Sequence, residues 1–209
     1  MQTYDVKQDR RDLYRARPGE PVLVEVPPLA FLMVDGSGDP NTAASYRDAL
    51  AALYTASYAV RAAARAQLGK VHTVGPLEGL WYAEDLEVFR TRDKRSWSWT
   101  MMIVQPDWIT PALVDQALAA PRTQRPASLD GVRFERVSEG RCAQVLHVGP
   151  YDDEGPVLER LHREFLPTHG LVSDGRHHEI YLSDARRVEP ARLRTILRQP
   201  VRGPAPSAP

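Results

Sequence analysis

A single cysteine, Cys142, leaves the chain unable to close an internal disulfide, so no oxidised framework substitutes for a hydrophobic core. Net charge is missing too. Lys+Arg and Asp+Glu each total 27, and no global field draws the protein to nucleic acid or to anionic lipid. Long apolar runs are absent: even residues 22–34 are interrupted by Glu25, Pro27 and Pro28, far short of the roughly 18–20 residues that span a bilayer. Residues 1–20 carry too many charges for the apolar centre of a signal peptide. The expectation is a cytoplasmic protein, monomer or homodimer, with neither membrane nor nucleic acid as partner.

What is present is core-forming material. With 43% hydrophobic and 26% charged residues in 209, the chain suits one core or two small packed lobes. Residues 5–17 read as a short peripheral helix or extended lead-in. Apolar runs at 22–26 and 29–34 predict one bent strand or two, split by Pro27-Pro28. An Ala-rich stretch from Thr42 to Gln67, with Tyr46, Leu50, Leu53, Tyr54 and Ser57 at helical spacing, predicts a long helix ended by Gly69. Strands follow around 80–82 and 97–105, joined by a charged turn between Glu84 and Arg95. Thr110-Pro111 opens a helix to Ala120, with threonine as cap and proline at the first helical position. Residues 121–128 read as a linker. Beyond it lie strands at 132–137 and 142–148, a helix from Val157 to near His169, strands at 177–182 and 195–201, and a tail from 203 expected to be disordered.

The two halves repeat one order of elements. Met33-Val34-Asp35-Gly36 corresponds to Leu146-His147-Val148-Gly149, Leu80-Trp81-Tyr82 to Ile180-Tyr181-Leu182, and Gln105-Pro106 to Gln199-Pro200. This predicts an α+β fold: a tandem pseudo-twofold repeat of a βαββ module, antiparallel sheets with helices on one face, and a ligand cleft at the seam. The division is a lead-in over 1–28, a first lobe over 29–121 and a second over 122–202.

Strand alternation in His177-His178-Glu179-Ile180-Tyr181-Leu182 puts His178, Ile180 and Leu182 on one face and His177, Glu179 and Tyr181 on the other. If the first set meets the helices, Glu179 and Tyr181 line the opposite surface. Trp81 takes the place corresponding to Tyr181, and Trp97, Trp99, Met101 and Ile103 share one face of their strand. An aromatic cleft holding a carboxylate suits cation binding or acid–base work. The bland alternative makes the tryptophans core packing and leaves Glu179 on an exposed edge.

Other motifs carry less. Gly36-Ser37-Gly38-Asp39-Pro40-Asn41 lacks the third glycine of a phosphate-binding turn, and Asp39 would repel an anion; it reads as a tight turn that caps a helix. His147, His177, His178 and Cys142 lack metal-ligand spacing, so neither metal nor cofactor is expected. Cys142 reads as an inert buried residue, and Arg186, Arg187, Arg192, Arg194 and Arg198 as solvated strand and turn charge.

Phe31-Leu32-Met33-Val34-Asp35-Gly36-Ser37-Gly38-Asp39-Pro40-Asn41, Pro76-Leu77-Glu78-Gly79-Leu80-Trp81, Trp99-Thr100-Met101-Met102-Ile103-Val104-Gln105-Pro106, Gln144-Val145-Leu146-His147-Val148-Gly149-Pro150-Tyr151 and His178-Glu179-Ile180-Tyr181-Leu182-Ser183-Asp184 stand in one order over most of the chain. Together they resemble the GyrI-like small-molecule-binding proteins. The resemblance implies the effector-binding fold that some multidrug-responsive transcription regulators carry behind a helix-turn-helix. Residues 1–28 are too few for such a DNA reader, so a stand-alone binder or enzyme is expected.

The resemblance also implies a planar hydrophobic or cationic drug held between aromatic side chains over a glutamate. For some members it implies hydrolysis of cyclopropane-containing genotoxins of the duocarmycin and yatakemycin type. Carried onto this chain, the glutamate is Glu179, with Tyr181 beside it as a second catalytic candidate. Trp81, Trp97, Trp99, Met101, Tyr46, Tyr151 and His177 form the candidate ligand wall. A non-catalytic sequestering or sensing module and a gyrase-type protein-interaction factor stay open as alternatives.

Overall fold

Pro27 and Pro28 offer no backbone N–H to a ladder, and the chain parts there into β1 (Val22–Val26) and β2 (Leu29–Ser37). The computed structural model describes residues 3–84, 91, 93–121 and 126–204. Much of the charged turn expected before Arg95, residues 122–125 of the expected linker and residues 205–209 of the tail lie outside the described residues.

After two single-turn helices, α1 (Val6–Asp9) and α2 (Arg11–Tyr14), the first repeat runs through β2, α3 (Ala44–Leu68), β3 (Leu77–Tyr82) and β4 (Ser98–Gln105). Ala49, Ala52, Leu53, Ala56, Val60 and Ala64 bury one stripe of α3, and Gly69 ends it with φ of 64°, a left-handed conformation suited to glycine. Helix α4 (Pro111–Ala119) is capped by Thr110, whose hydroxyl accepts from the Leu113 N–H.

The second repeat runs through β5 (Arg133–Val137), β6 (Gly140–Val148), α5, β7 (Val172–Ser173), β8 (His177–Tyr181) and β9 (Arg194–Arg202). Helix α5 starts at Gly155–Arg160, loosens into a π-helical stretch over Leu161–Phe165 and closes at Leu166–Thr168. No helix among the described residues is long and apolar enough to cross a membrane.

One antiparallel sheet joins the repeats in the order β1-β6-β9-β8-β3-β4-β2-β5, with β7 added to β9. The outer strands cross over: β1 pairs with β6 of the second repeat, and β5 with β2 of the first. At the centre β3 meets β8, with Gly79 opposite Glu179 and Leu80 opposite His178. Helix α3 packs with Leu32, Val34, Trp99, Met101 and Ile103, whereas Leu161 and Leu166 of α5 pack with Ala143 and Val201. Both helices thus stand on one face over the flanking strands, and β3 and β8 face the gap between them.

The face expected for Glu179 is reversed. Tyr181 packs with the α3 core, and Ile180 and Leu182 pack with Val6, Leu13 and Tyr14 of the N-terminal segment on the other side. Two faces of this sheet are covered, so apolar alternation does not by itself say which cover each set meets. Arg198 also departs from the expectation of solvated charge: it is fully buried beneath the N-terminal segment and paired with Glu139.

Close packing over glycine organises the helix-side face. Trp99 lies across from Gly36 in the β2–β4 ladder, and a Cβ at position 36 would come within 2.0 Å of its ring. Gly36→Ala is therefore expected to destabilise the fold by about 1–3 kcal/mol through overpacking. Gly155→Ala, where a Cβ would meet nothing within 4 Å, should stay within about 0.5 kcal/mol of the parent. Urea unfolding of both variants checks the contrast, and equal midpoints would refute it.

Candidate functional site

Strand pleating brings Glu179 and Tyr181 out on the helix side of β8, and residues paired across an antiparallel ladder share that side. Trp81 enters from β3. The Tyr181 hydroxyl donates to Glu179 Oε2 at 2.7 Å, and the Trp81 Nε1–H donates to the Tyr181 oxygen at 3.0 Å. This chain of donors ends on the carboxylate, whose side chain is 14% exposed.

Rings close around it. Tyr46 of α3 stacks on Trp81 at 6.4 Å between centroids, Trp97 meets Trp81 edge-on at 5.6 Å, and Tyr151 meets Tyr181 edge-on at 5.5 Å. The structure thus gathers Glu179, Tyr181, Trp81, Trp97, Tyr46 and Tyr151 into one cluster. His177 joins at its side, with Nε2 3.7 Å from Glu179 Oε1. Trp99 and Met101 lie deeper and are fully buried; Trp99 touches Tyr46 edge-on and donates to the Gly38 carbonyl.

Electrostatics set Glu179 apart. Burial among rings pushes its carboxyl up to about 7, against the opposing pulls of the Tyr181 hydrogen bond, His178, Trp81 and Lys94. Burial likewise holds His177 down at about 3, and neither ring nitrogen has a hydrogen-bond partner among the described residues. His177 is accordingly neutral near pH 7, with one N–H to donate. Burial pushes the Cys142 thiol up to about 12, leaving it protonated and unreactive.

Three features of the site escaped the sequence reading. A Cβ at Gly79 would lie 3.2 Å from both Trp81 Nε1 and Met101 Sδ, so glycine lets the indole fold down beside Glu179. Glycine inside a strand was the available signal, since it marks close approach. Lys94 pairs with Asp152 at 2.9 Å and lies 5.8 Å from the Trp97 ring centroid, linking the loop before β4 to the loop before α5. No periodic pattern in the sequence joins those loops. Third, a buried ionic group on the back of the sheet, around His178, lies directly behind Glu179.

Two surface cavities lie elsewhere. One of about 310 Å³ is lined by Tyr4, Lys70 and Trp108, and one of about 330 Å³ by Asp107, Phe134 and Arg136.

The model of the GyrI-like small molecule binding domain matches residues 19–202. The chain belongs to this family. An uncharacterized conserved protein from Listeria innocua is similar over 96% of this chain and 100% of its own, at 34% identity and a TM-score of 0.87. Two solved structures of hydrolases from Listeria innocua are similar over the same shares, at 32% and 33% identity with TM-scores of 0.81 and 0.83. No protein of curated function matches the chain. In this GyrI-like chain the matched span contains the whole Glu179 cluster.

The raised carboxyl has a stability consequence whose sign follows from linkage. The native group titrates near 7 and an ordinary glutamate near 4.5, so the native state is favoured below 4.5 and loses that advantage as pH rises through 7. Glu179→Gln should come nearest the parent at pH 4 and exceed it by about 1–3 kcal/mol at pH 8. Urea unfolding at the two values checks this, and a difference that does not change with pH would mean the carboxyl is not desolvated.

Proposed function

We propose that this GyrI-like protein binds planar hydrophobic or cationic small molecules over Glu179 and hydrolyses electrophilic cyclopropanes by adding water. The observation that carries the reading is one partly desolvated carboxylate set among Trp81, Trp97, Tyr46, Tyr151 and Tyr181, with its acidity moved toward neutrality. Flat rings gain area and stacking from such walls, and a base is most effective when its pKa lies near the working pH. Similarity to the Listeria hydrolases supports a hydrolytic reaction class. Tyr151, the most exposed ring of the group at 38%, yields first to an entering ligand.

In the proposed reaction a cyclopropane conjugated to a dienone lies against the rings. The oxygen of a water molecule bonds to a cyclopropane carbon, and the strained carbon–carbon bond breaks. Its electron pair passes through the dienone to the carbonyl oxygen, giving a phenolate. The proton lost by the water goes to Glu179 and then, through solvent, to the phenolate. Tyr181 holds the carboxylate in line, since its hydroxyl hydrogen is already engaged there. Neutral His177 has the free N–H to meet the developing oxyanion.

Glu179 acts as base only when ionised, so the rate should rise with pH through about 7 and level off above it. Incubating a spirocyclopropyl-dienone with the protein should give the water adduct by mass spectrometry, and Glu179→Gln should slow its formation about 10²–10⁴-fold. Quenching of tryptophan fluorescence by the same compound should persist in Glu179→Gln and weaken in Trp81→Ala. Quenching without any adduct above the buffer rate would reject the enzyme and leave a sequestering module. Indifference to both compound and Trp81→Ala would reject the binding site as well.

A further inference from the structure

Behind Glu179, on the opposite face of the sheet, four ionisable side chains are buried together: Glu78 and His178 are 0% exposed, Arg198 0% and Glu139 6%. The His178 Nδ1 lies 3.0 and 3.1 Å from the two oxygens of Glu139, and its Nε2 lies 3.0 Å from Glu78 Oε2. With a carboxyl group at each nitrogen, the ring is held as an imidazolium that donates on both sides. Each remaining side-chain oxygen and nitrogen of the four groups has at least one partner. Tyr14 donates to Glu78 Oε1 at 2.8 Å, Arg198 Nη1 to Glu139 Oε2 at 3.2 Å, and the rest of the guanidinium to Gln144 Oε1 and the Leu13 carbonyl.

Removing such charges from water costs several kcal/mol per ion, and apolar residues of like volume serve stability as well or better. Stability alone thus gives little reason for the group, and its place in the fold is the more informative feature. His178 precedes Glu179 in β8, and Glu78 precedes Gly79, the residue paired with Glu179. Slippage of β3 against β8 by one residue would part His178 from Glu78 and move Glu179 off Trp81.

We propose that the His178 imidazolium, clamped between Glu78 and Glu139 on the back of the sheet, is a positioning residue for Glu179: it pins the seam register and sets a buried positive charge next to the carboxylate in front. The proposal rests on Glu179 as the base of the reaction above. Facing that carboxylate are Tyr181 and His177 of β8, Trp81 of β3, Lys94 before β4, Tyr46 of α3 and Tyr151 before α5, with Glu154 acting on Tyr151 and Tyr181 behind them. Of these only Lys94 is cationic, and its ammonium is shared with Asp152. His178 is thus a second positive charge acting on Glu179, and a fully buried one. Burial opposes its charge, yet Glu139 and Glu78 hold it up at about 9, so the imidazolium persists through the range in which Glu179 titrates.

The test reads Glu179 directly by carbon NMR of labelled glutamate, which needs no turnover and so separates failure of this proposal from failure of the catalytic reading. In His178→Gln the Glu179 midpoint should move up by about one pH unit, the scale of a neighbouring charge's effect. If the enzyme reading holds, kcat at pH 7 should fall about fivefold with KM unchanged, and activity should return at higher pH. Tyr14→Phe, which removes a hydrogen bond but no charge, should lower Tm and leave the midpoint in place. An unmoved midpoint in His178→Gln would overturn the proposal. If that variant fails to fold, nitrogen NMR of the parent at pH 8 decides: two protonated ring nitrogens on His178 support the proposal, and a neutral tautomer overturns it.

Discussion

The ladder between β3 and β8 is the constraint on which everything else depends. It is the junction in the sheet path that links the inner strands of one repeat to those of the other, and its register sets Gly79 opposite Glu179 and Leu80 opposite His178. Side chains of a strand alternate between faces, so this one register hands a carboxylate and a phenol to the helix side and an imidazole to the back. The helices stand over the neighbouring strands, and the Glu179 cluster occupies the gap they leave.

The two faces treat buried charge in opposite ways. At the back each charge has a partner: burial alone would push Glu139 up, but His178 and Arg198 overcome it and hold it down at about 2. In front, Glu179 receives a hydrogen bond from Tyr181 and is otherwise surrounded mainly by rings, with no direct ion pair to a permanent cation among the described residues. With the carboxyl titrating at about 7, both of its forms are populated near neutrality, the condition that lets a carboxylate take up a proton and release it again. A network of paired charges thus lies behind a carboxyl that is desolvated and costly to the fold when ionised.

Alternation within β8 made the company of His177, Glu179 and Tyr181 legible, and the repeat made Trp81 their counterpart. The helix-side orientation was not legible, because Ile180 and Leu182 look like a set that meets helices and in fact meet Val6, Leu13 and Tyr14. Arg198 looked solvated among neighbouring arginines, since nothing local signals that Glu139, in the turn before β6, and Gln144 of β6 converge on it. Lys94 and Asp152 stand 58 positions apart and meet only because the sheet brings their loops together.

Composition and periodicity alone settled that this is an α+β chain with a repeated βαββ order, because spacing of 3.6 and of 2 residues is a property of local backbone geometry. The family resemblance was carried by short segments for the same local reason. Which face each strand set meets, which outer strand joins which repeat, and which buried charges find partners were decided by the tertiary structure. Those outcomes depend on contacts between residues far apart in the chain, and no local pattern encodes the partner at the other end.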